Sequence, residues 1–229
     1  MTIEGLQKLT LLDYPGRTAC TVFLGGCNFR CPFCHNFELA AGPCKPVMEE
    51  EELLSFLQKR QGLLDGVCFT GGEPLLRREL PALLRRVKEL GLAIKLDTNG
   101  SFPELLRAVV REGLVDYIAM DIKNAPDRYG ETAGCRQMNL DAINESISYL
   151  LTDPVDYEFR TTVVKGLHRL EDIEAIGVWI AGAKRYFLQR FQPSEQVPDV
   201  HLEAPDEAFL RKMLETVKTK IPTAQLRGI

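Results

Sequence analysis

The stretch TACTVFLGGCNFRCPFCHN, residues 18–36, reads as one strand followed at once by a loop dense in thiols. Its first part, residues 18–24, is a β-branched and apolar run of strand length. Gly25 and Gly26 break that run, and Cys27, Cys31 and Cys34 then crowd together. A strand that delivers its chemistry at its C-terminal end is the arrangement of parallel α/β sheets.

Working outward, the same unit recurs. A helix is predicted over 48–61, with glutamates in its first turn to suit the dipole and Gly62 to stop it. A strand over 66–70 ends in Gly71-Gly72-Glu73-Pro74, and Leu80, Leu83, Leu84, Val87 and Leu90 give the next helix its apolar face. The strand at 92–96 ends in Asp97-Thr98-Asn99-Gly100, before a helix over 103–112. The strand at 115–120 ends in Asp121-Ile122-Lys123, before a helix marked by Leu140, Ile143, Ile147 and Leu150. A strand over 157–164, a helix over 170–181, a strand over 185–191 and a last helix capped by Asp206 complete the series. Every polar or glycine-rich cluster falls at a strand's C-terminal end, so these loops are expected to converge on one site.

An eight-unit barrel takes about 250 residues, roughly 31 per unit, so the chain from Thr18 onward has room for about six. The unbroken alternation predicts one α/β domain over 1–229 with a parallel sheet and outer helices. Its core is expected from residue 17 to about 192, and 193–229 as a C-terminal extension with a helix. A partial barrel and a flat doubly wound sheet both satisfy this pattern.

The 229 residues are 45% hydrophobic and 26% charged, enough to bury a core unaided. A net charge of −4 without a long single-sign run gives nucleic acid no electrostatic footing. No apolar stretch approaches the roughly 18 residues that span a bilayer. Glu4, Lys8 and Asp13 are out of place in a signal peptide, so a cytoplasmic protein is expected. Clustered thiols there point to metal or redox chemistry rather than disulfides. Cys20, Cys44, Cys68 and Cys135 read as ordinary thiols, and His168 and His201 as surface residues.

The Cx3Cx2C spacing offers three soft donors in one loop. A closed zinc site wants four ligands, typically in two separated pairs. A three-thiolate [4Fe–4S] site would instead leave one iron free for substrate chemistry. Simple ferredoxin spacing is different and uses four cysteines.

At this loop a resemblance becomes specific. Cx3Cx2C with Phe33 before the last cysteine resembles the radical S-adenosylmethionine superfamily. Residues 25–36 look like its glycyl-radical-enzyme activases. The opening LQKLTLLDYPG, residues 6–16, is similar to the anaerobic ribonucleoside-triphosphate reductase activating proteins. Gly71-Gly72-Glu73-Pro74, Asp97-Thr98-Asn99-Gly100 and Met120-Asp121-Ile122-Lys123 extend the match along the chain.

The resemblance implies a partial (β/α)6 barrel. It also implies one [4Fe–4S] cluster on Cys27, Cys31 and Cys34, whose open iron chelates S-adenosylmethionine. Reductive cleavage would yield a 5′-deoxyadenosyl radical that takes hydrogen from a glycine of a partner enzyme, with flavodoxin or ferredoxin as electron donor. Phe33, His35 and Asn36 would surround the adenine, and Gly71, Gly72 and Glu73 would receive the amino group. Thr98, Asp121 and Lys123 would line the cofactor site, and Asp97, Thr98, Met120 and Asp121 would bind a monovalent cation. Arg160 would orient cofactor and glycine loop, and Gln192 stands where pyruvate formate-lyase activases carry an adenine-contacting histidine. The alternative is a small-molecule enzyme such as a 7-carboxy-7-deazaguanine synthase; a third reading is a non-catalytic zinc or iron–sulfur module.

Overall fold

The computed structural model describes all 229 residues. In chain order the elements are β1 (Thr2–Ile3), β2 (Gly5–Thr10), β3 (Ala19–Leu24), α1 (Phe37–Ala41), β4 (Met48–Glu49), α2 (Glu50–Gln58), β5 (Gly66–Gly71), α3 (Leu80–Glu89) and β6 (Ala93–Thr98). There follow α4 (Pro103–Arg111), β7 (Tyr117–Asp121), α5 (Tyr129–Thr132), α6 (Leu140–Leu151), β8 (Asp156–Val163), α7 (Leu170–Trp179), β9 (Tyr186–Arg190), α8 (Glu207–Lys218) and β10 (Gln225–Arg227).

The main sheet runs β10-β9-β8-β7-β6-β5-β3-β2, and β1 pairs with β4 apart from it. The six expected strands, β3 and β5 to β9, pair in parallel, with helices as the crossovers: a partial (β/α)6 barrel. β2 adds an antiparallel edge beside β3, and β10 a parallel edge beside β9. The barrel is therefore open between β2 and β10. Neither edge strand was among the predicted elements. β2 is largely exposed and β10 spans three residues, so neither writes a clear apolar period. Residues 193–229 thus pack α8 on the outside and return a strand to the sheet.

The sheet's two faces differ in character. On β6, Ile94 and Leu96 are fully buried in the main hydrophobic cluster with Leu80, Leu83, Leu84 and Val87 of α3. The pleat turns the intervening Lys95 and Asp97 to the other face. On β8, Tyr157 and Phe159 join the cluster while Arg160 and Thr162 line a cavity. The register sets Asp121 beside Arg160 across the β7–β8 pair, which puts a carboxylate and a guanidinium together on the inner face.

Candidate active site

A cavity of about 470 Å³ opens at the C-terminal ends of the strands, a size that suits a small-molecule cofactor. Its walls include Cys27, Cys31, Phe33, Cys34, His35, Asn36, Gly71, Gly72, Asp97, Thr98, Asp121, Lys123 and Arg160. Loops far apart in sequence thus meet as the strand-end argument requires.

The thiol loop is clipped to the sheet by contacts that exclude side chains. A Cβ on Gly72 would lie 2.0 Å from the Gly26 carbonyl oxygen, and one on Gly71 would lie 2.4 Å from that of Leu24. In place of Cβ atoms there are backbone bonds: Gly72 donates to Leu24 at 2.8 Å and Glu73 to Gly26 at 2.8 Å. Gly71 also has φ +119°, which only glycine adopts readily. On the other side Arg30 N–H donates to Ala133 at 2.9 Å, and Asp199 N–H, from the extension, donates to Pro32 at 3.1 Å.

Burial pushes all three thiols upward in pKa, Cys31 to about 12, while the nearby Lys123 ammonium opposes the rise. As free thiols they are held neutral, and metal capture would release protons. No three histidine, cysteine or carboxylate side chains converge on a point suited to a single ion. The three thiols line one cavity with the Lys123 ammonium nearby, a set of soft donors suited to a soft, anionic multi-iron cluster. The donor set therefore fits [4Fe–4S].

Next to the thiols lies a row of charge. The Arg160 guanidinium spans both aspartates: Nε donates to Asp121 Oδ1 at 2.9 Å and a terminal nitrogen to Asp97 Oδ2 at 3.3 Å. Lys123 Nζ donates to Asp121 Oδ2 at 3.0 Å, and Lys95 Nζ to Asp97 Oδ1. Burial alone would raise both carboxyls. Arg160 together with Lys123 at Asp121 and with Lys95 at Asp97 outweighs it, and both are held below the usual carboxylate range.

Several expected roles are redirected. Of the expected cation quartet, Asp97, Thr98 and Asp121 line the cavity, with the Thr98 hydroxyl donating to Glu73 Oε1 at 2.9 Å, while Met120 is fully buried against Gly100. Glu73 does not line the cavity. Fully buried, it accepts from Leu75 N–H at 3.0 Å, Thr98 and Asn99 N–H at 2.6 Å, and caps the short 3₁₀ turn Pro74–Leu76. Gln192 is exposed, and only its carbonyl reaches the site, 2.7 Å from His35 Nε2.

His168 is not a surface residue but 2% exposed, its ring edge-on to Phe33. Val164 N–H donates to Nδ1 at 3.1 Å, so Nε2 carries the proton and donates to the Lys123 carbonyl at 2.8 Å. His168 therefore braces the Lys123 strand end from behind. Asp13, Thr70, Asn99, Thr162 and Gln189 also line the cavity. Thr162 had a legible signal, since it lies two residues beyond Arg160 on the same strand face.

Burial raises Glu73 to about 7, with its three donors opposing. A raised folded pKa contributes stability that is complete below about 4.5 and lost as pH rises through about 7. The rise corresponds to about 3 kcal/mol at 1.36 kcal/mol per unit. Buried His168, shifted downward by burial, acts the other way and loses stability as pH falls. The difference between wild type and Glu73→Gln isolates the Glu73 part. In thermal melts the wild type is expected to lose its advantage between about pH 4.5 and 7; a constant difference would refute the assignment.

The family model described as the Radical SAM superfamily matches residues 21–176. A protein of Methanocaldococcus jannaschii, assigned by name to the glycyl-radical enzyme activating enzymes, is 31% identical over 99% of this chain and 96% of its own. The pyruvate formate-lyase-activating enzyme of Clostridium pasteurianum is 27% identical over 93% of this chain and 98% of its own. A 7-carboxy-7-deazaguanine synthase of Hyperthermus butylicus is 42% identical over 39% of this chain and 38% of its own. Among solved structures, Streptococcus suis SuiB bound to S-adenosylmethionine superposes with TM-score 0.71 at 16% identity, over 91% of this chain and 52% of that one.

Proposed function

Since the chain belongs to the radical SAM superfamily, we propose that it is a cytoplasmic oxidoreductase that activates a glycyl radical enzyme, and that its partner is anaerobic ribonucleoside-triphosphate reductase. The observation that carries the activase reading is the likeness to a glycyl-radical enzyme activating enzyme at 31% identity over 99% of the chain, beside a deazaguanine-synthase likeness at 28% identity over 69% of it. The ribonucleotide reductase assignment rests on the opening residues 6–16.

When bound, the [4Fe–4S] cluster and S-adenosylmethionine supply a carbon-centred radical able to take a hydrogen atom from a glycine α-carbon. The chain's own residues bind, orient and enclose. Cys27, Cys31 and Cys34 hold the cluster, and Lys123 stands beside them as a fixed positive charge. Phe33, His35 and Asn36 pack the adenine, with His35 steadied by the Gln192 carbonyl and by the Phe191 ring at 5.5 Å. Gly71 and Gly72 offer backbone without side-chain obstruction. Arg160, held by both aspartates, orients the cofactor's carboxylate and faces the entering glycine loop. Flavodoxin or ferredoxin delivers the electron.

The test is electron paramagnetic resonance of the reconstituted protein mixed anaerobically with reductant, S-adenosylmethionine and an anaerobic ribonucleotide reductase. A glycyl doublet that requires both proteins is expected. Cleavage of S-adenosylmethionine with no doublet, together with turnover of a deazaguanine precursor, would replace this reading by the small-molecule one.

A further inference from the structure

We propose that Lys95 is a built-in cation of the cofactor site, its ammonium taking the place on the Asp97 carboxylate that the activase resemblance gives to a monovalent metal ion. The inference concerns the cofactor site and stands whichever substrate the enzyme takes.

Lys95 lies two residues before Asp97 on β6, so the pleat delivers both side chains to the inner face. Its side chain is 2% exposed, and its ammonium meets Asp97 Oδ1 and, at 3.7 Å, the Cys68 sulfur. A buried ammonium carries a desolvation penalty of several kcal/mol unless it is paired. Here the pairing is with the carboxylate expected to bind the metal.

The remaining acceptors are also taken. Asp97 Oδ2 and Asp121 Oδ1 are held by Arg160, and Asp121 Oδ2 by Lys123. All four carboxylate oxygens of the pair thus face nitrogen cations. Thr98 is turned to Glu73, and the Met120 thioether packs against Gly100. Potassium and sodium are hard ions that want several oxygens, and here every carboxylate oxygen already faces a fixed cation whose charge opposes a metal ion beside it.

Charge closes the argument. Lys95, Arg160 and Lys123 set three positive charges against the Asp97 and Asp121 carboxylates, so this pair carries one positive charge in excess before Asp13, the third carboxylate on the cavity wall, is counted. A metal ion on the same two aspartates would supply that charge from solution. Lys95 supplies it covalently, and the anion it awaits is the carboxylate of S-adenosylmethionine.

The test measures S-adenosylmethionine binding by equilibrium dialysis on the cluster-loaded protein, and thermal stability on the same samples. Both are run in potassium, sodium and choline chloride at matched ionic strength. Wild type and Lys95→Arg are expected to bind equally, within about twofold, in all three salts. Lys95→Met is expected to bind about tenfold more weakly in choline, a loss of one charge interaction, and to recover in potassium or sodium. Its melting temperature should likewise become dependent on the metal ion. Wild-type binding or melting that requires potassium or sodium overturns the proposal, and so does a Lys95→Met protein indistinguishable from wild type. If Lys95→Met does not fold, the wild type and Lys95→Arg across the three salts still decide.

Discussion

Cys31→Ala is expected to load no iron–sulfur cluster on anaerobic reconstitution, and Cys27→Ala and Cys34→Ala to fail with it. Cys20→Ala and Cys135→Ala should load fully. Two thiolates cannot anchor three corners of a cubane, and the structure offers no replacement for the third. Cys20 and Cys68 are fully buried within strands, and burial pushes both thiols far up. Cys44 gives its proton to the Glu38 carbonyl at 3.0 Å, and neither it nor Cys135 lines the cavity. Cys31 is the deepest of the three, with its sulfur 3.7 Å from the Ala133 carbonyl. The same substitution leaves the fold nearly intact, because the loop is held by backbone bonds to Leu24, Gly26 and Ala133. Iron and sulfide content decides the matter, and full loading of Cys31→Ala would remove the cluster from this loop. Because neutral buried thiols must release protons to bind iron, loading should also improve as pH rises.

The parallel α/β order was legible because strands that end in glycine or polar signals alternate with amphipathic helices, whereas the choice of a barrel over a flat sheet came from the resemblance. The cysteine spacing offered three soft donors in one loop, and the resemblance it carries implied the multi-iron site. What the sequence could not settle was direction. Arg160 faces the cavity in one register and solvent in the other, and only the pairing of Asp121 with Arg160 decides. Glu73 belongs to a motif whose glycines line the cavity, yet its own side chain turns inward as a staple between loops. His168 sits in a polar connection with no apolar period, so nothing local announces that Phe33, Val164 and Lys123 enclose it. Lys95 is the sharpest case. Between Ile94 and Leu96 it reads as a solvated strand charge, and its meaning depends on a sheet that curls its inner face around a charged interior.

That inner face is open on one side, and there the second large effect is expected. Asp13→Ala should keep uncoupled cleavage of S-adenosylmethionine and lose glycyl-radical formation on the partner by tenfold or more, the scale of a lost charge-assisted hydrogen bond of about 1.5–3 kcal/mol. Asp13 lies between β2 and β3, beside the edge where the incomplete barrel opens, and it lines the same cavity as the thiols. One carboxylate oxygen accepts from Thr21 Oγ1 at 2.5 Å, which fixes the side chain and leaves the other oxygen free to accept from an entering backbone N–H. Arg160 lines the same cavity and can donate to carbonyls of the same segment. The approach is apolar, with Leu11 71% and Leu12 91% exposed immediately before Asp13. A diffusing small molecule has no use for such a rim, whereas a glycine borne on another protein must be carried in on its own backbone past a docking surface. Removing the carboxylate sacrifices one bond to Thr21, worth about 1 kcal/mol, so the fold and the cofactor site survive. The comparison is therefore between two rates on one protein: 5′-deoxyadenosine release without partner, and the glycyl doublet with it. A doublet that grows at the wild-type rate in Asp13→Ala would remove this segment from substrate docking. Loss of both rates together would instead place Asp13 in the cofactor site.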